Sequence, residues 1–342
     1  MINRQITLAS HPDGIPLPEN YGMKQGTVPE PGPGQFVVRN LYFSLEAAIR
    51  SWMDGIDTYF PPIPIGGAIR GPSVGRVVRS RNPAYAEGEI VWGLNHWEDY
   101  SLMDENSILL QKLQPKPGVP LSYYVGALGG SGQTAYVGLH DVGKIKAGQT
   151  VVVSAAAGAT GSMVGQIARI RGCKVVGIVG SQDKADLITS ELGMDHAVNY
   201  RETPDITAAV RAVCPEGVDI YFDNVGGTTL DNMLLCMNTY GHIVNCGMIS
   251  DYNHQNKPTP LYNLWKMVEK ELTMKGFLLY SHSDSIPGAM DDLHSWIASG
   301  EIKVLENITE GIANSGLAYS EMMKGRTIGK NLVKLDLPEE EG

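Results

Sequence analysis

The chain has 342 residues, of which 43% are apolar and 19% are charged. At about 150 residues per domain, this length predicts two domains with enough apolar side chains to bury sizeable cores. The 27 basic and 37 acidic residues give a net charge of −10, which disfavours nucleic acid and anionic membranes as partners.

The cysteines and the N-terminal residues bear on the compartment in which the protein works. Cys173, Cys214, Cys236 and Cys246 are too widely spaced for a zinc ribbon and too few for a secreted disulfide scaffold. Residues 1–14 contain no apolar signal-peptide core, and no run of about 18 apolar residues could span a bilayer. We therefore expect a cytoplasmic protein.

The first third of the chain alternates short β-like runs with turns. Nine of the 20 prolines precede residue 65, and strands are predicted at residues 34–39, 73–78 and 89–92. This pattern indicates a β-rich domain rather than a helical bundle. The composition changes near residue 121, after which a helix is predicted at residues 135–142.

The most regular stretch is a βαβ unit at residues 150–179. It consists of an apolar strand at 150–154, a helix at 162–171 and a strand at 174–179, which together imply a parallel sheet. Helices predicted at 183–192, 206–213 and 230–237 then alternate with strands at 197–200, 218–222, 242–246 and 275–280. The count suits a doubly wound, six-stranded parallel (Rossmann) sheet in an α/β fold.

Short strands return beyond residue 295, including one at residues 329–335. The C-terminal segment is therefore predicted to rejoin the first domain. We expect residues 1–125 with 296–342 to form a β-rich substrate and catalytic domain. Residues 126–295 would form the dinucleotide-binding domain.

A glycine-containing turn, AAAGATG at residues 155–161, connects the first strand of the βαβ unit to its helix. Against the dinucleotide fingerprint G-x-G-x-x-G, Ala156 takes the first glycine position, Gly158 the second and Gly161 the third. Gly158 would let the backbone approach a pyrophosphate, and the N–H groups at the start of the helix would attract that anion. A merely structural tight turn is the alternative.

The end of the second strand indicates which nicotinamide coenzyme is bound. NAD sites place an acidic residue there, whereas this strand ends in Gly180 and Ser181, and Asp183 follows at a position typical of a helix cap. A small tip followed by Lys184, with Arg201 further along, favours a 2′-phosphate and hence NADP over NAD. The alternative is that Lys184 is an ordinary solvated helix residue.

Zinc ligands are scarce in the first domain. Residues 1–125 contain no cysteine, and their histidines are His11 and His96. A structural zinc needs four ligands and a catalytic zinc three, so the sequence predicts a zinc-independent site. Tyr262 and Lys266 match the Y-x-x-x-K pair of short-chain dehydrogenases. Those enzymes usually begin with their glycine turn, whereas here the turn lies at residue 158 and the pair follows a nearly complete sheet. We therefore interpret the pair as part of an amphipathic helix.

Several motifs follow one another in fixed order: QTAYVGLHDVG at 133–143, GQTVVVSAAAGATGS at 148–162, DNVGG at 223–227, CGMISDYN at 246–253 and IGK at 328–330. With them, the chain resembles the zinc-independent medium-chain reductases that act on alkenals, prostaglandins and curcumin. The resemblance implies a GroES-like fold for the β-rich domain and NADPH-dependent reduction of the C=C bond of an α,β-unsaturated ketone or aldehyde. It also implies a cytosolic homodimer that binds a small enone or enal as its substrate.

The resemblance also implies roles for individual residues. It assigns the pyrophosphate to Gly158, Ala159, Thr160 and Gly161, and the 2′-phosphate end to Lys184 and Tyr200. It assigns the ribose and nicotinamide to Thr134, Asn224, Cys246, Gly247, Met248, Ile249, Ser250, Tyr252, Phe277, Leu278 and Leu279.

Three positions depart from the family pattern. EAAIR at residues 46–50 replaces D-P-Y-M-R, GSG at 130–132 replaces the usual M-P before the glycine, and Thr327 replaces an asparagine before I-G-K. The first two changes bear on the substrate pocket and the third on a coenzyme contact.

The implied chemistry is a conjugate reduction in which the β-carbon receives hydride and the carbonyl oxygen becomes an enolate. The coenzyme ribose hydroxyl and the Tyr252 phenol are the candidate donors to that charge, and Tyr252, the ribose hydroxyl or water would protonate the α-carbon. Tyr59 is the preferred aromatic wall for the substrate, with core packing as its alternative. A quinone reductase of the same superfamily and a non-catalytic NADPH-binding sensor are the rival functions.

Overall fold

The structure of the chain, a computed structural model, describes residues 1–253, 257 and 259–336. Residues 337–342, the end of the predicted C-terminal segment, lie outside the described residues. The chain separates into two units. One contains Met1–Gly126 and the chain from Glu306 onward, and the other is Ala127–Leu305.

The first unit begins with seven strands joined by short loops and 3-10 helices. The strands are β1 (Ile2–Leu8), β2 (Tyr21–Thr27), β3 (Gln35–Ser44), β4 (Arg70–Ser80), β5 (Ile90–His96), β6 (Tyr100–Asp104) and β7 (Gln111–Leu113). The 3-10 helices are Pro18–Asn20, Ala47–Trp52 and Leu121–Tyr124. Strands β1 and β2 form an antiparallel pair of their own.

The second unit is built on six parallel strands. They are β8 (Thr150–Ser154), β9 (Lys174–Val179), β10 (His196–Asn199), β11 (Val218–Asp223), β12 (Met237–Asn245) and β13 (Thr273–Gly276). Their spatial order is β10-β9-β8-β11-β12-β13, and every neighbouring pair is parallel. This order is that of a doubly wound sheet, in which ligands bind at the carboxyl ends of the strands where the order reverses, here between β8 and β11.

Eight α-helices accompany this sheet in the described part of the unit. They are α1 (Gly130–Val137), α2 (Ala159–Ile170), α3 (Gln182–Ser190), α4 (Ile206–Val213), α5 (Gly227–Leu234), α6 (Ile249–Tyr252), α7 (Lys266–Glu269) and α8 (Ile286–Ala298). A π-helical turn, Gly138–Val142, extends α1, and a 3-10 helix, Leu279–Ser285, precedes α8. All residues of β8 are buried, as expected for a central parallel strand.

The chain then returns to the first unit through β14 (Glu306–Glu310), a 3-10 helix (Ile312–Asn314), α9 (Ser315–Met323) and β15 (Lys330–Lys334). These strands complete a seven-stranded sheet of order β14-β15-β3-β4-β5-β7, with β6 also paired to β3. Strand β15 pairs antiparallel with β3, so residues from both ends of the chain form one sheet. The predicted fold class, a doubly wound parallel sheet plus a β-rich unit built from both terminal segments, is confirmed.

Two predicted elements end earlier in the structure than in the sequence prediction, and one helix was not predicted. The helix predicted at 230–237 ends at Leu234, because Leu234 and Met237 are both buried and the apolar run conceals the change from α5 to β12. The strand predicted at 275–280 ends at Gly276, and the exposed Leu278 and Tyr280 enter the turn that follows. Helix α9 was not predicted.

None of the helices in the described residues is long and apolar enough to cross a bilayer.

Candidate functional site

The predicted glycine turn lies between β8 and α2, at the carboxyl end of the sheet. Ala155 adopts a left-handed conformation with φ +50°, and Gly158 precedes the first residue of α2. A Cβ added to Gly161 would overlap the carbonyl oxygen of Ala155, and one added to Gly158 would lie 3.1 Å from the same oxygen. Glycine at both positions therefore lets the helix begin close against the turn.

The first amides of α2 precede the hydrogen bonds of the helix. The N–H of Ser162 makes the first helical hydrogen bond, to the carbonyl of Gly158 (3.0 Å). The amides of Ala159, Thr160 and Gly161 precede that bond, so they belong to the helix end that carries the positive dipole charge. This arrangement suits a pyrophosphate at the switch point of the sheet.

A second polar group lies at the ends of β9 and β10. The ring of Tyr200 lies against Gly180, where an added Cβ would be 2.9 Å from the tyrosine oxygen. The Arg201 guanidinium lies 5.8 Å from the centre of the Tyr200 ring. The pKa of Lys184 is lowered, mainly by burial. The negative charge of Asp183 opposes this shift, and the positive charge of Arg201 adds to it. The structure thus brings Lys184, Tyr200 and Arg201 together, as a 2′-phosphate site requires.

Asp183 serves its own helix at this position. Hydrogen bonds from the Ser181 side chain and from the amides of the first turn of α3 lower the pKa of the Asp183 carboxyl. The N-cap of α3 is Ser181, and Asp183 lies in the first turn, where a negative charge is favourable, so the tip of β9 carries no acidic side chain.

The loop after β11 is held by the buried carboxylate of Asp223. This carboxylate accepts hydrogen bonds from the Tyr221 hydroxyl (2.7 Å), the Ser154 hydroxyl (3.2 Å) and the Gly226 amide (3.0 Å). Burial raises the pKa of Asp223, and these donors oppose that rise. Asp223 was not predicted as a functional residue, although the DNVGG motif contains it.

Asn224 joins the same loop to β8. Its backbone amide donates to the Ser154 hydroxyl (2.9 Å), and its side-chain amide donates to the Ser154 carbonyl (2.8 Å). The predicted coenzyme residue Asn224 therefore lies at the switch point between β8 and β11.

A cavity of about 730 Å³ opens beyond the ends of β12 and β13. Its lining residues are Asn245, Cys246, Gly247, Met248, Tyr252, Lys275, Gly276, Phe277, Leu278, Ser281 and His282. Predicted residues from the CGMISDYN motif and from residues 277–278 therefore share one cavity. Asn245, Lys275, Ser281 and His282 were not predicted, because no motif singles them out.

Four other predicted residues, Ile249, Ser250, Leu279 and Thr134, are not in the lining of this cavity. Ser250 of α6 donates its hydroxyl hydrogen to the Val225 carbonyl (2.6 Å), which ties α6, including Ile249, to the DNVGG loop. Leu279 begins the following 3-10 helix. Thr134 lies in α1, where its carbonyl accepts a hydrogen bond from the Gly138 amide.

Tyr252 presents its phenol to the lining of the cavity. Its oxygen is 3.2 Å from the position that a Cβ would take on Gly247, so a side chain at residue 247 would crowd the hydroxyl. Burial raises the pKa of Tyr252 above its usual value, and the nearby Cys246 and Asp223 raise it further, whereas a backbone hydrogen bond at Met248 opposes this. The phenol is consequently protonated at neutral pH and can donate a proton.

His282 is positioned in the same cavity by Asp141 of the π-helical turn. Its Nδ1 lies 3.0 Å from Asp141 Oδ2, which also accepts a hydrogen bond from the Ser285 hydroxyl (2.7 Å). Burial acts to raise the pKa of Asp141, but the contacts with Ser285 and His282 outweigh it and lower that pKa. Asp141 is therefore an ionised partner for the imidazole.

Tyr59, the predicted substrate residue, belongs to the first unit. Its side chain is exposed, and its ring makes an edge contact with Trp52 (centroids 6.0 Å apart) and a tilted contact with Phe60 (5.2 Å). Trp52 itself is buried and belongs to the core of this unit. Tyr59 keeps the exposure that a substrate contact needs.

The Y-x-x-x-K match does not form a catalytic pair. Tyr262 is 82% exposed, and the Lys266 ammonium donates to the Glu269 carboxylate (2.6 Å). The amphipathic helix expected there is reduced to the single turn of α7, with Trp265 exposed before it. Across the described ranges, no group of three or more His, Cys, Asp or Glu side chains is placed to hold a metal ion.

Comparisons with known proteins cover nearly the whole chain. Family models described as the N-terminal domain of oxidoreductase and as zinc-binding dehydrogenase match residues 4–110 and 159–295. The NADP(+)-dependent 2-alkenal reductase of Nicotiana tabacum is 40% identical over 97% of both chains, and the NADPH-dependent curcumin reductase of Escherichia coli is 36% identical over 97% of both. The crystal structure of CurA from Vibrio vulnificus in complex with NADPH is 34% identical, with a TM-score of 0.91 over 98% of this chain and 100% of that one.

Proposed function

We propose a function for this chain from the premise that it belongs to the zinc-independent medium-chain dehydrogenase/reductase family, among the alkenal, prostaglandin and curcumin double-bond reductases. It is an NADP-dependent oxidoreductase that acts on CH–CH bonds. The proposed reaction is the reduction of the C=C bond of α,β-unsaturated ketones or aldehydes. The observation that carries this proposal is the cavity in which the protonated Tyr252 phenol lies beside the two loops at the ends of β12 and β13.

The coenzyme is NADP(H), and the residues present fit it. Gly158 and Gly161 leave open the space that side chains would fill, and Lys184 and Arg201 place two positive charges near Tyr200. The Asn245 Oδ1 atom in the cavity lining is buried without a partner among the described residues, so it is open to a donor on a ligand. When bound, the coenzyme supplies hydride.

The chain's own residues would bind and orient the coenzyme and protonate the substrate. We assign Gly158 to Gly161 to the pyrophosphate, and Lys184 with Tyr200 to the 2′-phosphate. The hydrogen bonds of Asp223 to Ser154 and to the loop amides hold Asn224 in place. The Tyr252 phenol would stabilise the enolate oxygen of the substrate and donate a proton to the α-carbon of the substrate.

The assignment extends to the whole protein. The unit formed by both ends of the chain is proposed to contact substrate, with Tyr59 as an aromatic wall, and the other unit to bind the coenzyme. The small-molecule partner is an enone or enal, and the protein is proposed to be a cytoplasmic homodimer.

One assay tests the proposed reaction. NADPH oxidation is followed with a panel of enals, enones, diarylheptanoids and quinones, repeated with NADH, and products are identified by mass spectrometry. We expect turnover with enals or enones, a product heavier by two hydrogens at the former double bond, and much weaker activity with NADH. Turnover with quinones alone would identify a quinone reductase, and tight NADPH binding without any turnover would identify a sensor.

A further inference from the structure

The carboxylate of Asp223 is fully buried and accepts hydrogen bonds from several directions. Its Oδ1 atom accepts, at 2.7–3.2 Å, from the hydroxyl groups of Tyr221 and Ser154 and from the amides of Val225 and Gly226. The Gly226 amide also donates to Oδ2 (3.2 Å). A buried carboxylate satisfied in this way fixes the groups that donate to it.

These bonds hold the backbone of the DNVGG loop after β11. Gly226 adopts a left-handed conformation there, with φ +71°, and presents its amide to the Asp223 carboxylate. The Ser154 hydroxyl, which donates to that carboxylate, accepts the amide of Asn224 (2.9 Å). The carbonyl groups of the loop are thereby held in one orientation.

The segment at residues 246–250, which leads into α6, is bound to those carbonyl groups. The Ser250 hydroxyl donates to the Val225 carbonyl (2.6 Å). The backbone bonds, at 2.9–3.3 Å, run from the amides of Cys246 and Gly247 to the carbonyl of Asp223, from Ile249 to Asn224 and from Ser250 to Val225. The loop therefore supports the segment mainly through backbone groups.

Tyr252 follows directly on this segment. Its amide donates to the Met248 carbonyl (3.2 Å). Its phenol oxygen lies close to the place where the segment meets the loop, because a Cβ added to Gly247 would be 3.2 Å from that oxygen and 3.5 Å from the Asn224 carbonyl oxygen. A displacement of the loop would therefore displace the phenol.

We propose that Asp223 is a positioning residue for proton donation by Tyr252. The carboxylate holds the loop, the loop carbonyls hold residues 246–250, and these residues place the phenol for the substrate. In the step itself, the phenol O–H bond breaks and a C–H bond forms at the α-carbon of the enolate, so Asp223 neither gains nor loses a proton. This positioning role rests on the proposed function, in which Tyr252 is the proton donor.

A double-mutant cycle tests this role. With NADPH at saturation, kcat and KM for an enone are measured in the wild type, Asp223→Asn, Tyr252→Phe and the double variant. We expect Asp223→Asn to lower kcat by about 10- to 100-fold, because a misplaced donor reacts slowly, with little change in the KM for the enone. In the Tyr252→Phe background, the same substitution should lower kcat by less than about twofold, because no phenol is left to position.

Asp219→Asn is the matched control. Asp219 lies on the same strand as Asp223, and its carboxylate also accepts a hydrogen bond from β8, in this case from the Thr150 amide (2.8 Å), but it is outside the cavity lining. We expect this variant to keep the kcat of the wild type. Tyr221→Phe, which removes one donor and retains the carboxylate, is taken through the same cycle and should show a smaller coupling of the same sign, so the test does not depend on the folding of Asp223→Asn.

Hydrogen exchange gives a measurement in the protein without coenzyme. The amides of residues 246–250 should exchange faster in Asp223→Asn and in Tyr221→Phe than in the wild type or in Asp219→Asn. An equal fall of kcat with and without the Tyr252 hydroxyl, or unchanged exchange of these amides, would overturn the positioning role and leave the reaction as proposed. An unchanged kcat in Tyr252→Phe would instead overturn the proton donor, and the absence of turnover with enones and enals would overturn the proposed function.

Discussion

Tyr252 is the residue on which the proposed proton transfer depends. Its phenol is kept neutral by burial and lies in the cavity lining. Tyr252→Phe removes the hydroxyl and keeps the ring, so we expect kcat to fall by about a hundredfold while the affinity for NADPH changes little. Steady-state kinetics and NADPH titration by fluorescence measure the two quantities, and an unchanged kcat would show that the proton comes from the ribose hydroxyl or water.

Lys184 should set the preference for NADPH over NADH. Burial lowers the pKa of its ammonium, Asp183 raises it and the charge of Arg201 lowers it, so a bound 2′-phosphate would stabilise the charges of both Lys184 and Arg201. We expect Lys184→Gln to weaken NADPH binding by about 10- to 100-fold, as for the loss of a charged hydrogen bond, and to change NADH binding little.

Parallel titrations with the two coenzymes test this prediction, with Lys146→Gln, at an exposed lysine of the same unit, as the control. Equal losses of affinity for NADPH and NADH would contradict it, because they would show that the substitution disturbs the whole coenzyme site and not a specific contact with the 2′-phosphate.

At the scale of elements, the junction of β8 and α2 depends on Gly161. Its added Cβ would overlap the Ala155 carbonyl oxygen, whereas Gly288 in α8 has open space within 4 Å. We expect Gly161→Ala to destabilise the protein by about 1–3 kcal/mol and to weaken NADPH binding. Gly288→Ala should be neutral or stabilise the protein by up to about 1 kcal/mol. Urea unfolding and NADPH titration distinguish them, and similar behaviour of the two variants would disprove the packing argument.

Helices α1, α2 and α8 meet at a cluster formed by Tyr136, His140, Arg171 and Asp292. Arg171 donates to His140 Nε2 (2.9 Å) and to Asp292 (2.8 Å), and Tyr136 donates to the same carboxylate (3.0 Å). The bond from Arg171 requires an unprotonated Nε2. Burial lowers the pKa of His140 below its usual value, and Arg171 lowers it further, although the Tyr136 carbonyl opposes this.

The lowered pKa of His140 makes stability depend on pH. The unfolded state takes up a proton more readily than the folded state, so the contribution of His140 is complete above the unfolded pKa, near 6.5, and is lost as pH falls toward the folded value. We expect the Tm of the wild type to fall more between pH 7.5 and 5.5 than the Tm of His140→Gln. His196→Gln, at an exposed histidine, is the control and should follow the wild type.

At the scale of the whole molecule, both ends of the chain contribute to one sheet through the pairing of β15 with β3. An ion pair adds to this connection: the buried Lys330 ammonium lies 2.5 Å from the Glu46 carboxylate, which also accepts a hydrogen bond from Ser44. Glu46 begins the EAAIR segment that departs from the family pattern, and Lys330 ends the IGK motif. The two segments are therefore partners in one unit.

The oligomeric state is a prediction for the whole molecule. The family resemblance implies a homodimer, and large apolar side chains are exposed at Tyr262, Trp265 and Val268. Light scattering after size exclusion should give twice the 37.0 kDa mass of one chain. A mass equal to that of one chain across micromolar concentrations would refute the homodimer.

Motifs whose structure depends on residues close together in the chain could be interpreted from the sequence. The alternation of apolar strands and amphipathic helices predicted the six parallel strands, and the spacing of Gly158 and Gly161 predicted a turn that leaves room at the start of α2. Both depend on residues within about one βαβ unit, so the chain's own backbone geometry defines them. Boundaries such as that between α5 and β12 were less accurate, because a buried helix and a buried strand share the same apolar residues.

Contacts between distant segments could be identified from the fold alone. His282 meets Asp141 across 141 residues, and Asp223 meets Ser154 across 69 residues. No local pattern pairs these side chains, because their meeting depends on the strand order that brings the ends of β8, β11, β12 and β13 to one edge. The chain's amino acids thus specify the glycine turn directly, whereas the lining of the cavity arises from the packing of segments far apart in sequence.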